Sequence, residues 1–322
     1  MVEPIKAPVY YDHVLITGCR FEIGQGLCRI LKMTHTAAFV IGADSSSNHA
    51  GAVVFDAIEQ TPQCDDPAYF DSIRLLCQRH RIDLIIPMSE AEIELFAAHQ
   101  FTSTFDGIPV LLPNEQAIFV GQDKLATIEF FAQQDIPHPW TRAVESDDPL
   151  EVPCIIKPRD GNESKGVLIV SDAGMVPALR RSRPDHIWQE LLTPESEEYT
   201  CGLFRSFSGE FRSISLRRRL QGGYTSDGVV VHNDEINMYL RRIAESLQLR
   251  GAINVQLKLT DNGPVAFEIN PRFSSTVVFR HLLGFQDFVW SLMDIRGLVP
   301  ADYYPAPAGL RFYRDPQEHI VG

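Results

Sequence analysis

Residues 253–272 read INVQLKLTDNGPVAFEINPR, and their polar side chains are of the kinds that hold a hard cation and an anion side by side. Ile253, Val255, Leu257 and Leu259 alternate with polar positions, Val265, Phe267 and Ile269 alternate likewise, and Asp261-Asn262-Gly263-Pro264 between them is a turn signal. The pattern predicts two antiparallel strands with one buried face. Asn254, Gln256 and Lys258 then share the other face with Ala266, Glu268 and Asn270. With the turn centred on Asn262, Gln256 lies opposite Glu268 and Asn254 opposite Asn270, Cβ atoms roughly 5 Å apart. A carboxylate and amide oxygens converge there, a donor set suited to Mg²⁺. Arg272 just beyond supplies a fixed positive charge for phosphate oxygens. The plain alternative is an amphipathic hairpin whose polar face is simply wet.

Other charged residues sit where a bland role and a chemical one compete. Lys157 follows two isoleucines in the apolar run 154–158, and a lysine entering such a strand needs a partner that a phosphate would supply. Loop 160–166 carries Gly161 and Gly166 near its ends with Ser164 and Lys165 between, and is either plain surface or a flap over a ligand. Lys124 follows Asp123, the predicted N-cap of a helix, where a cation opposes the helix dipole. Arg217, Arg218 and Arg219 precede Gly222-Gly223. Strand alternation lets at most two of them face one site, so Arg219 belongs either to a charged strand end or to a grip on phosphate or carboxylate. Glu90 lies just past a strand's C-terminal end, where open parallel sheets bind ligands. Ser89 and Glu92 nevertheless form a capping box, which gives first-turn acids a structural reason. Arg280 and His281 fall in a mostly buried helical region, where a structural role competes with substrate contact. No Ser-His-Asp or Cys-His nucleophile set is evident.

These residues need a scaffold, and the pattern of the chain supplies one. Apolar strands at 13–17, 38–41, 82–87 and 108–112 alternate with helical patterns, including 68–80 and 90–100, which predicts a doubly wound parallel sheet. Gly18, Gly24 and Gly26 open its first helix without the G-x-G-x-x-G spacing, so that loop either holds an anion or turns a corner. Asp44 at a strand end could touch a ribose or cap a turn. Residues 114–122 read as a linker, 123 onward as a helix, and 235–250 as an amphipathic helix ending at Gly251.

At 322 residues the chain has room for two or three units with real cores. Its net charge of −13 argues against general binding to nucleic acid or anionic membrane. The start, MVEPIKAPVYYD, lacks the apolar segment of a secretory signal, and no apolar run approaches the ~18 residues of a membrane span. The six cysteines show no C-x-x-C, so free thiols in a reducing cytoplasm are expected.

Lys124, Ile155-Ile156-Lys157-Pro158, loop 160–166, Gln189-Glu190, Glu198-Tyr199, Asn254-Val255-Gln256 and Glu268-Ile269-Asn270-Pro271-Arg272 stand in the order and spacing of the motifs of ATP-grasp ligases. The chain resembles that superfamily over essentially its whole length, and Asn-Val-Gln is most similar to its carbamoyl-phosphate-synthase-like branch. The resemblance implies an α/β ATP-grasp fold. A pre-ATP-grasp domain over 1–113 would precede a linker helix and small α+β subdomain over 114–192, then a large subdomain over 193–322. It implies that Lys124 and Lys157 contact nucleotide phosphates and that loop 160–166, with Gly161, Ser164, Lys165 and Gly166, closes over them. Glu190, Leu191 and Leu192 would form the hinge strand beside adenine, Glu198 would hold ribose hydroxyls, and Gln256, Glu268 and Asn270 would ligate Mg²⁺, with Mn²⁺ as a substitute. Arg272, with Lys157 and Arg219, would stabilise the transferred phosphoryl group, while Glu90, Arg219 and Arg280 are candidates for the substrate.

Two departures stand out. Gln256 is an amide where many relatives carry a second carboxylate, which leaves one or two metals open, and the flap has only two glycines. The implied activity is a single-module ligase: ATP activates a small-molecule carboxylate as an acyl phosphate, and an amine displaces phosphate. A non-catalytic nucleotide module, a carbamoyl-phosphate-type kinase and a dinucleotide enzyme built on the glycine loop are the rivals. No nucleic acid or membrane is expected as a partner, and a homodimer is left open.

Overall fold

The structure is a computed structural model that describes residues 10–161, 166–221 and 224–314. Ser164 and Lys165 therefore lie outside the described residues.

The N-terminal third runs β1 (Tyr11–Thr17), α1 (Glu22–Thr34), β2 (Ala37–Asp44), β3 (Ala57–Gln60), α2 (Tyr69–His80), β4 (Leu84–Ile86) and α3 (Glu90–Ala98). Its four strands are parallel in the order β3-β2-β1-β4. Val14, Leu15 and Ile16 are all fully buried because helices cover both faces, so the strand is a continuous apolar run. The predicted strand at 108–112 is mostly something else: β5 (Thr104–Phe105) and β6 (Ile108–Pro109) form a small hairpin, and Val110 adds one parallel bridge to Ile85. The glycine loop has packing causes. A Cβ on Gly24 would meet the Cys19 Cα at 3.2 Å, and one on Gly26 would meet Val278 at 3.0 Å.

The stretch expected as a linker is helical. In α4 (Glu115–Gln122), Ala117, Ile118 and Val120 are buried, and a Cβ on Gly121 would meet Pro271 Cδ at 2.7 Å. The helix thus braces the Asn-Pro-Arg segment. It is followed by α5 (Lys124–Gln133), capped by Asp123, whose side chain accepts from the Leu125 amide at 2.9 Å.

Next, β7 (Thr141–Ala143), β8 (Cys154–Pro158), β9 (Leu168–Val170), α6 (Val176–Ser182) and β10 (His186–Glu190) make an antiparallel sheet in the order β7-β10-β8-β9. The larger sheet takes β11 (Glu198–Arg205), β12 (Phe211–Gln221), β13 (Tyr224–Val231), α7 (Asp234–Ser246), β14 (Gly251–Thr260), β15 (Gly263–Asn270), α8 (Val277–Leu282), α9 (Asp287–Ile295) and β16 (Arg311–Tyr313). Its strand order is β15-β14-β11-β12-β13-β16. One face packs on α7 and α5 through Ile243, Leu247, Val255 and Ile269. The other meets α9 and the N-terminal sheet through Phe204, Leu216, Phe288 and Trp290.

The hairpin β14–β15 has the expected pairs, Asn254 with Asn270 and Gln256 with Glu268, but by a different path. The turn is Asp261-Asn262, one residue tighter, so Leu257 pairs with Ala266 and a bulge at Phe267 restores the register. The Ala266 amide donates to the Tyr239 hydroxyl at 2.8 Å. Consequently Ala266, not Phe267, enters the core, and Phe267 turns to the polar side. That corrects the expectation for Phe267, which with Val265 is only half-buried, whereas Ile269 is buried as expected.

Candidate active site

A cleft of about 920 Å³ opens between the two antiparallel sheets and the C-terminal ends of β1 and β4. The small sheet contributes Ile155, Lys157, Gln189 and Glu190, and the large sheet contributes Glu198, Arg218, Gln256, Glu268 and Asn270. Glu90, Lys124, Asp160, Gly161, Leu192 and Arg272 complete the expected residues on its wall.

Lys157 is only 6% exposed, on β8 beside the fully buried Ile156. Its Nζ reaches the Phe267 carbonyl at 3.4 Å and lies 5.2 Å from the Phe267 ring, and among the described residues it forms no ion pair. Burial pulls its pKa down to about 8, with Glu268 acting against that and Lys124 adding to it. Glu268 sits among cations. Burial pushes its carboxyl up, but Lys124, Lys157, a 3.0 Å hydrogen bond from the Asn270 amide, and Arg218 outweigh it and hold it below the usual range. Glu268 is thus a carboxylate at neutral pH, as a metal ligand must be.

Among the described residues no three His, Cys, Asp or Glu side chains gather as a metal cluster. What the cleft offers is one carboxylate with amide oxygens from Asn270 and Gln256, a hard-oxygen set that fits Mg²⁺ completed by phosphates and water. Gln256 departs from the expectation: its Oε1 accepts from Arg218 Nη2 at 2.8 Å.

Arg272 holds Asn270 Oδ1 at 3.2 Å and donates to the Phe273 carbonyl at 3.0 Å. It also pairs with Glu90 at 2.9 Å, so the N-terminal domain's acid meets the cation that closes the hairpin. Ser89 and Glu92 do form the capping box, which fixes Glu90 at the helix start. Lys124 Nζ donates to the Gly161 carbonyl at 2.8 Å, tying the helix start to the root of the flap.

Glu190 is held by the Trp140 amide at 3.1 Å, and the Leu192 carbonyl accepts from Lys258 at 3.2 Å. Leu191 lies between these two without lining the cleft, and Gly166 also stands off it, its carbonyl accepting from Arg183 at 2.8 Å.

The structure corrects two expectations outright. Arg219 is 76% exposed at the side chain and paired with Asp227 at 2.8 Å, away from the cleft. The neighbour sequence reasoning passed over, Arg218, points in: it is 9% exposed and binds Glu198 at 2.9 Å. The signal was available, because Ile214 and Leu216 define the buried phase of the strand and Arg218 continues it. Arg280 is fully buried against Asp287 at 2.9 Å and, among the described residues, touches the site through Asn254, at 3.5 Å, so it stands off the cleft. Phe267 also went unforeseen as a wall residue, and its bulge leaves no mark in the sequence. Asp44 organises a turn, accepting from the Arg20 and Ser46 amides.

Comparison with known proteins agrees with this layout. A family model described as ATP-grasp in the biosynthetic pathway with Ter operon matches residues 182–313, and one described as the PylC-like N-terminal domain matches residues 14–111. Residues 182–313 thus match an ATP-grasp domain. The chain therefore carries, in order, a segment similar to a PylC-like N-terminal domain and one similar to the ATP-grasp domain of the Ter-operon pathway. D-alanine–D-alanine ligase of Mycobacterium sp. (strain KMS) is 26% identical over 236 residues, which span 62% of this chain and 63% of that relative's length. Among solved structures, the ADP complex of an N5-carboxyaminoimidazole ribonucleotide synthetase superposes with a TM-score of 0.74 at 16% identity, covering 95% of this chain and 81% of the other. L-amino acid ligase from Bacillus licheniformis gives 0.68 at 13%, covering 88% and 74%. No described helix is long and apolar enough to cross a membrane.

Proposed function

We propose that the chain is an ATP-dependent ligase that activates a small-molecule carboxylate as an acyl phosphate and couples it to an amine, releasing ADP and phosphate. The observation that carries this reading is the cleft itself. A buried lysine with no ion pair among the described residues, a low-pKa carboxylate with amide oxygens, and Arg272 face one space large enough for a nucleotide and a second ligand. The named relatives, ligases and a synthetase, support it.

In this reading Lys124 and Lys157 hold the nucleotide phosphates, and Phe267 with Ile155 and Leu192 offers apolar walls for the base. Glu190 and the 190–192 backbone edge it, Glu198 reaches the ribose, and the segment 160–166 covers the phosphates. Glu268 and Asn270 hold Mg²⁺, which when bound neutralises phosphate charge as a Lewis acid. The substrate carboxylate forms a bond to the γ-phosphorus as the bond to the β-phosphate oxygen breaks, and ADP leaves. Arg272, released from Glu90, stabilises the charge on the transferred group. The amine then attacks the acyl carbon, the carbon–oxygen bond to phosphate breaks, and the amine's proton passes to solvent or to a freed Glu90. Positioning and charge carry this chemistry, so no nucleophilic side chain is required.

The domain limits 1–113, 114–192 and 193–322 belong to the same proposal, with a helix heading the second unit. So does a cytoplasmic setting, which the six free cysteines support. The partners are the two small-molecule substrates.

The test is ADP release with Mg·ATP across panels of carboxylic acids and amines, with Glu268→Ala as control. Turnover that needs both an acid and an amine and falls about 10²–10³-fold or more in the variant is the expected result. ATP binding with no turnover for any pair would favour a non-catalytic nucleotide module. Turnover with an acid alone would favour a kinase-type reaction.

A further inference from the structure

Arg218 changes what the metal-binding face can hold. Its Nη2 lies 2.8 Å from Gln256 Oε1 and 2.9 Å from Glu198 Oε1, and its Nε lies 3.2 Å from the same Glu198 oxygen. The guanidinium is nearly buried, and the pairing is set by three neighbouring strands, since Thr200 of β11 stands beside Gln256 and Tyr199 beside Arg217. An amide has a single acceptor oxygen, and here it points at a permanent cation that cannot lose its proton. A divalent ion on that oxygen would have to displace the guanidinium and then sit beside it.

The remaining oxygens are unevenly placed. Glu268 and Asn270 lie two residues apart on one strand and bond to each other at 3.0 Å. A first cation there keeps a carboxylate and an amide, whose Oδ1 accepts a longer 3.2 Å bond from Arg272, a guanidinium shared with Glu90 and the Phe273 carbonyl. A second cation, without Gln256, would keep at most one protein oxygen, that of a shared Glu268. Meanwhile the wall already carries Lys124, Lys157, Arg218 and Arg272 as fixed positive charge.

We infer that Arg218 takes Gln256 out of the metal shell, so that the cleft binds one divalent cation per nucleotide, on Glu268 and Asn270, and the guanidinium supplies positive charge where a second cation would otherwise lie. This rests on the ATP reading above and narrows its ligand set: Gln256 is a positioning partner of Arg218, not a ligand. The amide at 256 follows from the same arrangement, because it accepts Arg218's donor without adding a charge that would draw a cation.

The experiment counts Mn²⁺ bound to the full-length protein saturated with adenylyl imidodiphosphate, from the electron paramagnetic resonance signal of free Mn²⁺. Nucleotide occupancy is measured by calorimetry on the same samples. The wild-type chain should plateau at one Mn²⁺. Gln256→Glu alone should stay at one, because Arg218 still claims the side chain, whereas Arg218→Met with Gln256→Glu should bind two. Two Mn²⁺ on the wild-type chain overturns the inference, and so does a count of one in a double variant that still binds the nucleotide. The wild-type count decides even if the double variant fails to fold. Absence of nucleotide binding in the wild-type chain would instead remove the ATP reading, and this inference with it.

Discussion

Lys157 and Arg280 are both buried cations beside the same hairpin, yet their surroundings differ in one respect. Arg280 is sealed, 0% exposed and 2.9 Å from an equally buried Asp287. Burial and mutual attraction pull that pair in opposite directions: Asp287 is pushed up to about 6 by burial, with Arg280 holding it back. Lys157 is as deeply placed, but a carbonyl at 3.4 Å and an aromatic ring are its nearest partners. A charge buried with its counter-ion belongs to the architecture. A charge buried facing a cavity, with no ion pair among the described residues, is a candidate site for an anion, because its desolvation is costly.

Breaking each cation's setting should therefore give opposite results. Asp287→Ala leaves Arg280 charged and unpaired, and should cost about 3–5 kcal/mol of stability in denaturant unfolding. A loss below about 1 kcal/mol would mean the pair is not sealed as described. Lys157→Met removes a charge whose burial Glu268 and Glu198 offset only in part. The protein should gain on the order of 1–3 kcal/mol while nucleotide affinity falls about tenfold or more, read by thermal unfolding and calorimetry.

The pH dependence sharpens the same contrast. With a folded pKa of about 8 against 10.5 for the free side chain, folded Lys157 binds fewer protons than the unfolded chain between those values. The contribution of Lys157 to stability should rise as pH climbs through that window, and nucleotide affinity should fall by up to about tenfold per pH unit as the lysine loses its charge. The affinity slope should vanish in Lys157→Met, and the stability difference between wild type and Lys157→Met should change across the window, since the buried thiols of Cys19, Cys28, Cys77 and Cys201 titrate alike in both. The smallest effect is reserved for Arg219→Ala, whose exposed pair with Asp227 is screened by solvent, so that denaturant unfolding and ADP release should both be unaltered. A large loss of turnover there would reopen Arg219 as a site residue.

Much of this was legible in the sequence, for physical reasons that also mark its limits. The parallel sheet followed from apolar runs alternating with helical periods, and the cross-strand pairs of the β14–β15 hairpin followed from period-two alternation around a turn. The bulge at Phe267 did not, since an apolar residue satisfies the alternation on either face, and only the Tyr239 hydroxyl shows why the ladder gives way there. Arg218 and Arg219 were separable by phase, had Ile214 and Leu216 been used to set it. The helix at 115–122 was hidden because its apolar face is short and its reason, Gly121 against Pro271, lies about 150 residues away in the chain. Arg280 looked available because sequence shows a charge but not the buried Asp287 that answers it.

The central claim is that the cleft makes an acyl phosphate. Once a substrate acid is in hand, the direct measurement is to label its carboxylate with ¹⁸O and analyse the phosphate released on ligation by mass spectrometry. Transfer of one labelled oxygen from the acid to phosphate, accompanied by ADP, is the predicted result. Unlabelled phosphate, or AMP in place of ADP, would contradict it.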